Sequence, residues 1–446
     1  MRASTGARQA PGRPLVRHRG RHQRVTNIEL FFDLVYVFAV TQLSHYLLSK
    51  LTLAGALQAG LLLIMVWLLW AYTTWVTNWL DPERIPVRVL LLALMLISLV
   101  MSAGLPQAFG DGGLLIGCAY AAMQIGRSAF AVWALRGAPQ RRNFERILCW
   151  CCVSGALAVA GGLAGGGGRD VLWLAAVGCD LLGSAVGFYV PGLGRSTTLE
   201  WDIEGSHFAE RCQAFILIAL GESIVVIGAT LAGLLKGPLA APQASVAPTL
   251  VAFVIAFVGS AGLWWLYFDR SAEAGAEAIA GSADPGRLGR SAYHLLHPVM
   301  VAGIIVVAAA DEIVVAHPEA TARAATTWLI LGGTALYIAG HTAFLAVLWR
   351  RVSWPRIGAL VALGLLGVLG PHVDVLVLDG CAAVVVVGVA LADYLSRAGR
   401  PAANGDPGRR PDGDPGRGPD GDPGREPGGG AGAEPDDRAG REPGAP

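Results

Sequence analysis

Twelve stretches of about twenty mostly apolar residues fill the chain between positions 27 and 396: roughly 27–49, 55–79, 87–109, 113–136, 145–165, 171–190, 207–235, 247–268, 291–316, 324–349, 356–371 and 373–396. A run of that length is what a helix needs to cross ~30 Å of hydrocarbon. Inside lipid every backbone N–H and C=O must find a partner within the segment, which leaves the helix as the only open-ended spanning structure. The reading is therefore all-α: a polytopic integral membrane bundle of about twelve transmembrane helices. Prolines and glycines punctuate the connections, as at Asp81-Pro82, Leu105-Pro106, Lys236-Gly237-Pro238 and Trp354-Pro355. Only Pro371-His372 divides the last two stretches, so a re-entrant pair is the alternative there.

Composition closes off the other classes. Only 15% of the residues are charged, against ~25% in a soluble domain. Seven cysteines in 446 residues do not make a disulfide scaffold. A net charge of +1 speaks against nucleic acid as a partner.

Lys and Arg alternate from one connection to the next. The even connections hold Arg84, Arg88, Arg136, Arg141, Arg142, Arg146, Arg195, Arg270, Arg287, Arg290, Arg350, Arg351 and Arg356; the odd ones hold Lys50, Arg169, Lys236 and Arg323. The positive-inside rule then puts the even connections and both termini in the cytoplasm. Trp70, Trp75, Trp79, Trp264, Trp265 and Trp349 crowd the same helix ends, as an interfacial belt would. Three regions result. Residues 1–26 form a basic disordered cytoplasmic arm, and residues 27–396 the transmembrane domain. Residues 397–446 form a disordered cytoplasmic tail rich in Pro, Gly, Asp and Arg, with octads starting at Asp406, Asp414 and Asp422.

A weak internal match suggests two parallel halves of six helices. The second stretch ends Trp79-Leu80-Asp81 before Arg84, and the eighth ends Tyr267-Phe268-Asp269-Arg270. The first and seventh open with Glu29 and Glu210 ahead of a Phe-rich run. Duplicated transporters place their sites between such halves.

Ionisable residues inside the helices ask for a reason, because each costs a few kcal/mol in lipid. Glu29 and Asp33 lie one turn apart on the first helix; Gln124 and Arg127 sit on the fourth; His207, Glu210, Arg211 and Glu222 sit on the seventh. His294 and His297 lie one turn apart on the ninth, His341 on the tenth and Asp180 mid-way along the sixth. The topology gathers most of these in the cytoplasmic half. The candidate ligand- or ion-binding residues are Glu29, Asp33, Arg127, Glu210, Glu222, His294 and His297. Asp33 and Glu222 would bind a proton or cation, and Arg127 would offset their charge or hold an anionic group. Helix-start placement also explains Glu29 and Glu210 as acids complementing the helix dipole. Arg211 and His294 could reach the interface, and Asp311 and Glu312 fall near the outer surface, where water would reach them.

Other constellations carry little chemistry. Cys149, Cys151 and Cys152 lack zinc-ligand spacing, and His294 with His297 lacks the helical zinc-protease pattern. Gly161–Gly168 has no following Lys-Ser/Thr and reads as a flexible outer loop. No Gly-x-Ser-x-Gly nucleophile stands out. The expectation is no enzyme, no metal, no catalytic residue and no cofactor.

Two long polar-in-apolar motifs carry a resemblance. One is the run from Glu29-Leu30-Phe31-Phe32-Asp33-Leu34 through Gln42-Leu43-Ser44-His45. The other is His207-Phe208-Ala209-Glu210-Arg211 with Ile218-Ala219-Leu220-Gly221-Glu222-Ser223-Ile224. With Tyr120-Ala121-Ala122-Met123-Gln124-Ile125-Gly126-Arg127, the chain resembles the bacterial low temperature requirement A family over residues 25–396. The resemblance implies a multi-spanning inner-membrane protein linked to growth in the cold or under stress. It supplies no reaction, substrate or site residue. The functional expectation is a transporter or channel-like protein with a proton- or ion-coupled polar site among helices one, four, seven and nine. Its partners are the bilayer and a small solute or ion. The alternative is a non-transporting stress or scaffold protein whose intramembrane polar residues are structural.

Overall fold

The computed structural model describes residues 15–17, 25–197, 205–235, 246–269, 271–350 and 353–398. The expected tail and most of the basic arm lie outside the described residues. Fourteen helices follow one another: α1 (Asn27–Ser49), α2 (Leu53–Trp79), α3 (Ile85–Gly104), α4 (Gly113–Ala134), α5 (Arg141–Leu163), α6 (Gly167–Ala185), α7 (Gly205–Leu235), α8 (Val246–Phe268), α9 (Ser271–Ala280), α10 (Pro285–Leu288), α11 (His297–Ala316), α12 (Ala324–Trp349), α13 (Trp354–Leu369) and α14 (Val375–Ala398). All twelve expected stretches are helical. Among the described residues ten helices are long and apolar enough to cross a membrane. The two that fall short are α6, which carries Arg169, Asp170 and Asp180, and the 16-residue α13, whose ~24 Å is less than the hydrocarbon thickness.

The helices turn their apolar faces outward. On α1, Leu30, Phe31, Leu34 and Phe38 are exposed, while Glu29, Phe32, Asp33 and Tyr36 are fully buried. Lipid solvates leucine as well as a protein core does, so polar groups turn inward, where they can be paired. The tryptophan belt is partly corrected by the same logic. Trp264, Trp265 and Trp349 are exposed, but Trp70 and Trp79 are buried inside the bundle.

Helix neighbours repeat. In the first six helices α1 packs on α2 and α3, α3 on α4, α4 on α5, α5 on α6, and α2 on α6. Replacing these by α7, α8, α11, α12, α13 and α14 in order gives α7 on α8 and α11, α11 on α12, α12 on α13, α13 on α14, and α8 on α14, all of which are present. The short α9, α10 and the turn after them form the extra connection. The two sets meet where α1 and α2 contact α7 and α11.

Two sequence expectations change. Leu15–Arg17 is not loose: Asp81 N donates to Leu15 O and Arg17 N to Trp79 O, both at 3.0 Å, pairing Val16 with Leu80 across the end of α2. The glycine run 161–168 is mostly helix, closing α5 and opening α6, and only 164–166 forms the turn. Buried Arg169 fastens that turn by donating to Ala164 O (3.1 Å), Ala108 O (2.8 Å) and Gly110 O (2.6 Å).

Close packing of α11 on α12 depends on glycine. A Cβ on Gly303 would lie 2.6 Å from the Tyr337 backbone nitrogen, so the two helices approach as small residues permit in membranes. Gly303→Val should destabilise the protein by about 1–3 kcal/mol, read as a lowered unfolding temperature in detergent. An unchanged transition would contradict this packing.

Candidate functional site

The residues expected to converge divide into two clusters on either side of α2. The first joins α1 to α7. Asp33 accepts two bonds from Arg211, from Nε at 2.8 Å and Nη2 at 2.5 Å, and a third from Trp70 Nε1 at 2.6 Å. Glu29 Oε1 takes Arg211 Nη1 at 3.3 Å and His207 Nε2 at 3.0 Å. Its Oε2 accepts from the Thr26 backbone N–H and hydroxyl. The Asn78 amide faces His207 Nδ1 at 3.3 Å, and Arg17 Nη1 lies 3.1 Å from His207 Nε2. Arg17 closes the cluster, with Nη1 donating to Thr77 O at 3.0 Å and 3.5 Å from Glu29 Oε1. Every charged member on α1 and α7 is buried. One-turn spacing on each helix explains the match: 29 and 33 meet 207 and 211 in the same order, so α1 and α7 run parallel.

The second cluster joins α4 to α6. Asp180 Oδ2 accepts from Gln124 Nε2 at 2.7 Å and from the Tyr120 hydroxyl. Arg127 donates to Gln124 Oε1 and, at 3.3 Å, to Leu69 O, and its guanidinium lies 5.2 Å from the Tyr72 ring centre. Leu69 and Trp70 are consecutive on α2, so that helix serves the two clusters on different faces.

This corrects the expected shared site. Arg211, not Arg127, is the partner of Asp33, and Arg211 is buried in the bundle rather than reaching the interface. Glu222 is buried about three turns beyond Arg211 on α7 and joins neither cluster. Glu210 is half-buried and makes none of these bonds. His294 and His297 also part company. His294 ends a π-helical turn, Gly289–His294, and α11 starts only at His297. His297 is satisfied: the Tyr267 hydroxyl lies 2.7 Å from Nε2 and Ala292 O 3.3 Å from Nδ1, and its ring stacks on Tyr293. Both ring nitrogens of His294 are buried without a partner.

His294 instead lines a partly open cavity with about 670 Å³ of empty space, its mouth included. Arg127 lies at one wall and Arg290, whose Nη1 donates to Ser184 O at 2.8 Å, at another. Trp75, Val76, Phe144, Ile147 and Phe188 supply apolar surface. Phe188 has φ +49° and follows Gly187 at φ +68°. Two successive left-handed residues turn the chain back as α6 ends and shape this wall; for a phenylalanine such a backbone is strained, a feature that collects at binding sites. π turns collect there too. Among the described residues no Asp or Glu lines the cavity. Arginine and imidazole beside hydroxyls and aromatic walls suit an anion with an apolar body. No group of three or more His, Cys, Asp or Glu residues that could hold a metal occurs among the described residues.

The family model of the bacterial low temperature requirement A protein matches residues 24–391. The chain belongs to the LtrA family. An uncharacterized protein of Rhizobium meliloti (strain 1021) is 34% identical over 370 residues, 82% of this chain and 88% of that one. No solved structure matches. The matched region takes in the cavity and both clusters apart from Arg17, and membership makes this a multi-pass membrane protein.

Spacing could have found the first cluster, since His207 and Arg211 repeat the one-turn step of Glu29 and Asp33. Nothing in the sequence marks the π turn that separates His294 from His297, whereas Asp379, an acid inside the stretch 373–396, carries the same mark as the other intramembrane acids. Asp311 is buried, not wet as expected.

The first cluster should behave as a lock. Asp33→Ala or Arg211→Ala leaves a buried charge alone, at a cost of about 3–5 kcal/mol. Replacing both with apolar residues, as in Asp33→Leu with Arg211→Met, should recover much of the folded yield. A double variant as damaged as the sum of the singles would contradict the pairing.

Proposed function

We propose that this LtrA-family protein is a transporter or channel-like protein whose solute site is the Arg127–Arg290–His294 cavity, taking small organic anions with an apolar part. The observation that carries the reading is His294, buried with both ring nitrogens unpartnered, in the same cavity as buried Arg127. Leaving such groups unsatisfied is costly unless a ligand or water completes them. The cavity draws walls from α2, α4, α5 and the end of α6, all in the first set of helices, and from the connection that leads into α11. In this reading the protein catalyses no reaction, needs no cofactor, and has the bilayer and the solute as its partners.

A second reading, a membrane scaffold linked to cold or stress, draws on the Glu29–Asp33–His207–Arg211 cluster, which is buried and paired. The two readings assign different residues, so variants separate them. Purified protein should be stabilised against heat by benzoate, and vesicles containing it should take benzoate up. Arg127→Gln and His294→Ala should each weaken binding about tenfold or more, the worth of one charge-assisted hydrogen bond, with folding retained. Neither stabilisation nor uptake by benzoate or longer carboxylates would overturn the solute site.

The orientation belongs to the same proposal: a bacterial inner membrane with the even connections and both termini in the cytoplasm. It rests on the arginine alternation. A cysteine placed at Arg141 should be shielded from an impermeant thiol reagent in intact cells, and one at Arg323 labelled. The reverse pattern would invert the topology.

A further inference from the structure

A second cavity lies among α8, α11, α12 and α14, well apart in sequence from the solute cavity, with about 260 Å³ of empty space. Its walls are Ile, Leu, Val, Ala and Gly except for three side chains: Asp311, Thr334 and Asp379. Asp311 is 2% exposed and Asp379 7%. Each has a buried Oδ2 without any hydrogen-bond partner. The Thr334 hydroxyl donates to Ile330 O at 3.1 Å and so has only lone pairs to offer. Among the described residues, α8 faces the cavity with no charged residue and α12 with Thr334 as its polar side chain, and no Arg, Lys or His lines it. The remaining acid nearby, Glu312, is half-buried beside Asp311 with its own Oε2 unpartnered.

Two carboxylates, each with an unpartnered buried oxygen, cannot share one apolar cavity without a positive charge between or upon them. Asp180 offers the contrast within the same protein: it too is a buried acid on the last helix of its half, yet Tyr120 and Gln124 satisfy it. A metal would need more oxygen ligands than two carboxylates and a hydroxyl in a space this small. We propose that Asp311 and Asp379 form a proton-binding pair inside the bundle, at which the protein takes up and releases a proton. The cation is then the proton, held by one carboxylate and accepted by the other. Intramembrane carboxylates that serve as relays in pumps and transporters meet the same physical condition.

The proposal goes beyond the solute reading and is tested without any solute. In the purified full chain in lipid, the infrared band of protonated carboxylic acid should contain a component lost in Asp311→Asn and in Asp379→Asn. Asparagine keeps the shape of the protonated acid, so both variants should stay folded. A hydrophobic carbodiimide, which attacks protonated carboxyls, should label Asp311 or Asp379 of the wild-type protein faster in acidic than in alkaline buffer, whatever the sodium concentration. That arm needs no variant. A band that neither substitution changes, or labelling of other carboxyls only, would overturn the pair. Loss of band and label on adding sodium at constant pH would also overturn it, making the site a sodium site.

Discussion

Everything in the arrangement of the two halves depends on a double ion pair held in register by helix periodicity. Glu29 and Asp33 stand one turn apart on α1, and His207 and Arg211 one turn apart on α7. The rise of a helical turn is the same in both, so parallel helices place each acid opposite a base without distortion. Buried charges of this kind add little net stability, because desolvation takes back most of what attraction gives. Their effect is on alternatives: a shift of either helix by one residue, or a reversal of direction, would strand two acids and an arginine in hydrocarbon. Arg17 and Thr26 extend the constraint to the chain before α1, so the entry of the polypeptide into the bundle is fixed by the same cluster.

Polar groups inside the bundle thus divide by how completely they are satisfied. The α1–α7 cluster and the Tyr120–Gln124–Asp180 group are full, each acid accepting from two or more donors. His297 is full as well. His294, His341, Asp311 and Asp379 are not, and of these His294, Asp311 and Asp379 line a cavity while His341 does not. In a medium without water a vacancy of this sort is expensive, and it persists where something other than the protein fills it. One cavity is cationic and aromatic, the other anionic and small, and they lie in different halves of the duplicated pattern.

The helical stretches were legible because each is a local property: twenty apolar residues suffice, whatever surrounds them. Spacing also marked Glu29 with Asp33 as a pair. The partner of Asp33 was harder to see, since Arg127 and Arg211 are equally basic and both lie far along the chain. Only the rotation of α4 and α7 about their axes decides between them. His294 and His297 show the opposite failure. Regular helical spacing put them on one face, and a π turn ending at His294 removed that face. Asp311 looked wet from its place near a helix end, but α8, α12 and α14 cover it.

What the sequence by itself determined is therefore the class of molecule, the rough limits of its apolar helical segments, and its family. These follow from segment length, apolarity and motif, which do not need a neighbour to have meaning. What only the tertiary structure decided is which charges meet and which are left without partners. That depends on how each helix is turned and what packs over it, and in lipid the neighbours of a polar group, more than its identity, set whether it locks the fold or waits for a ligand.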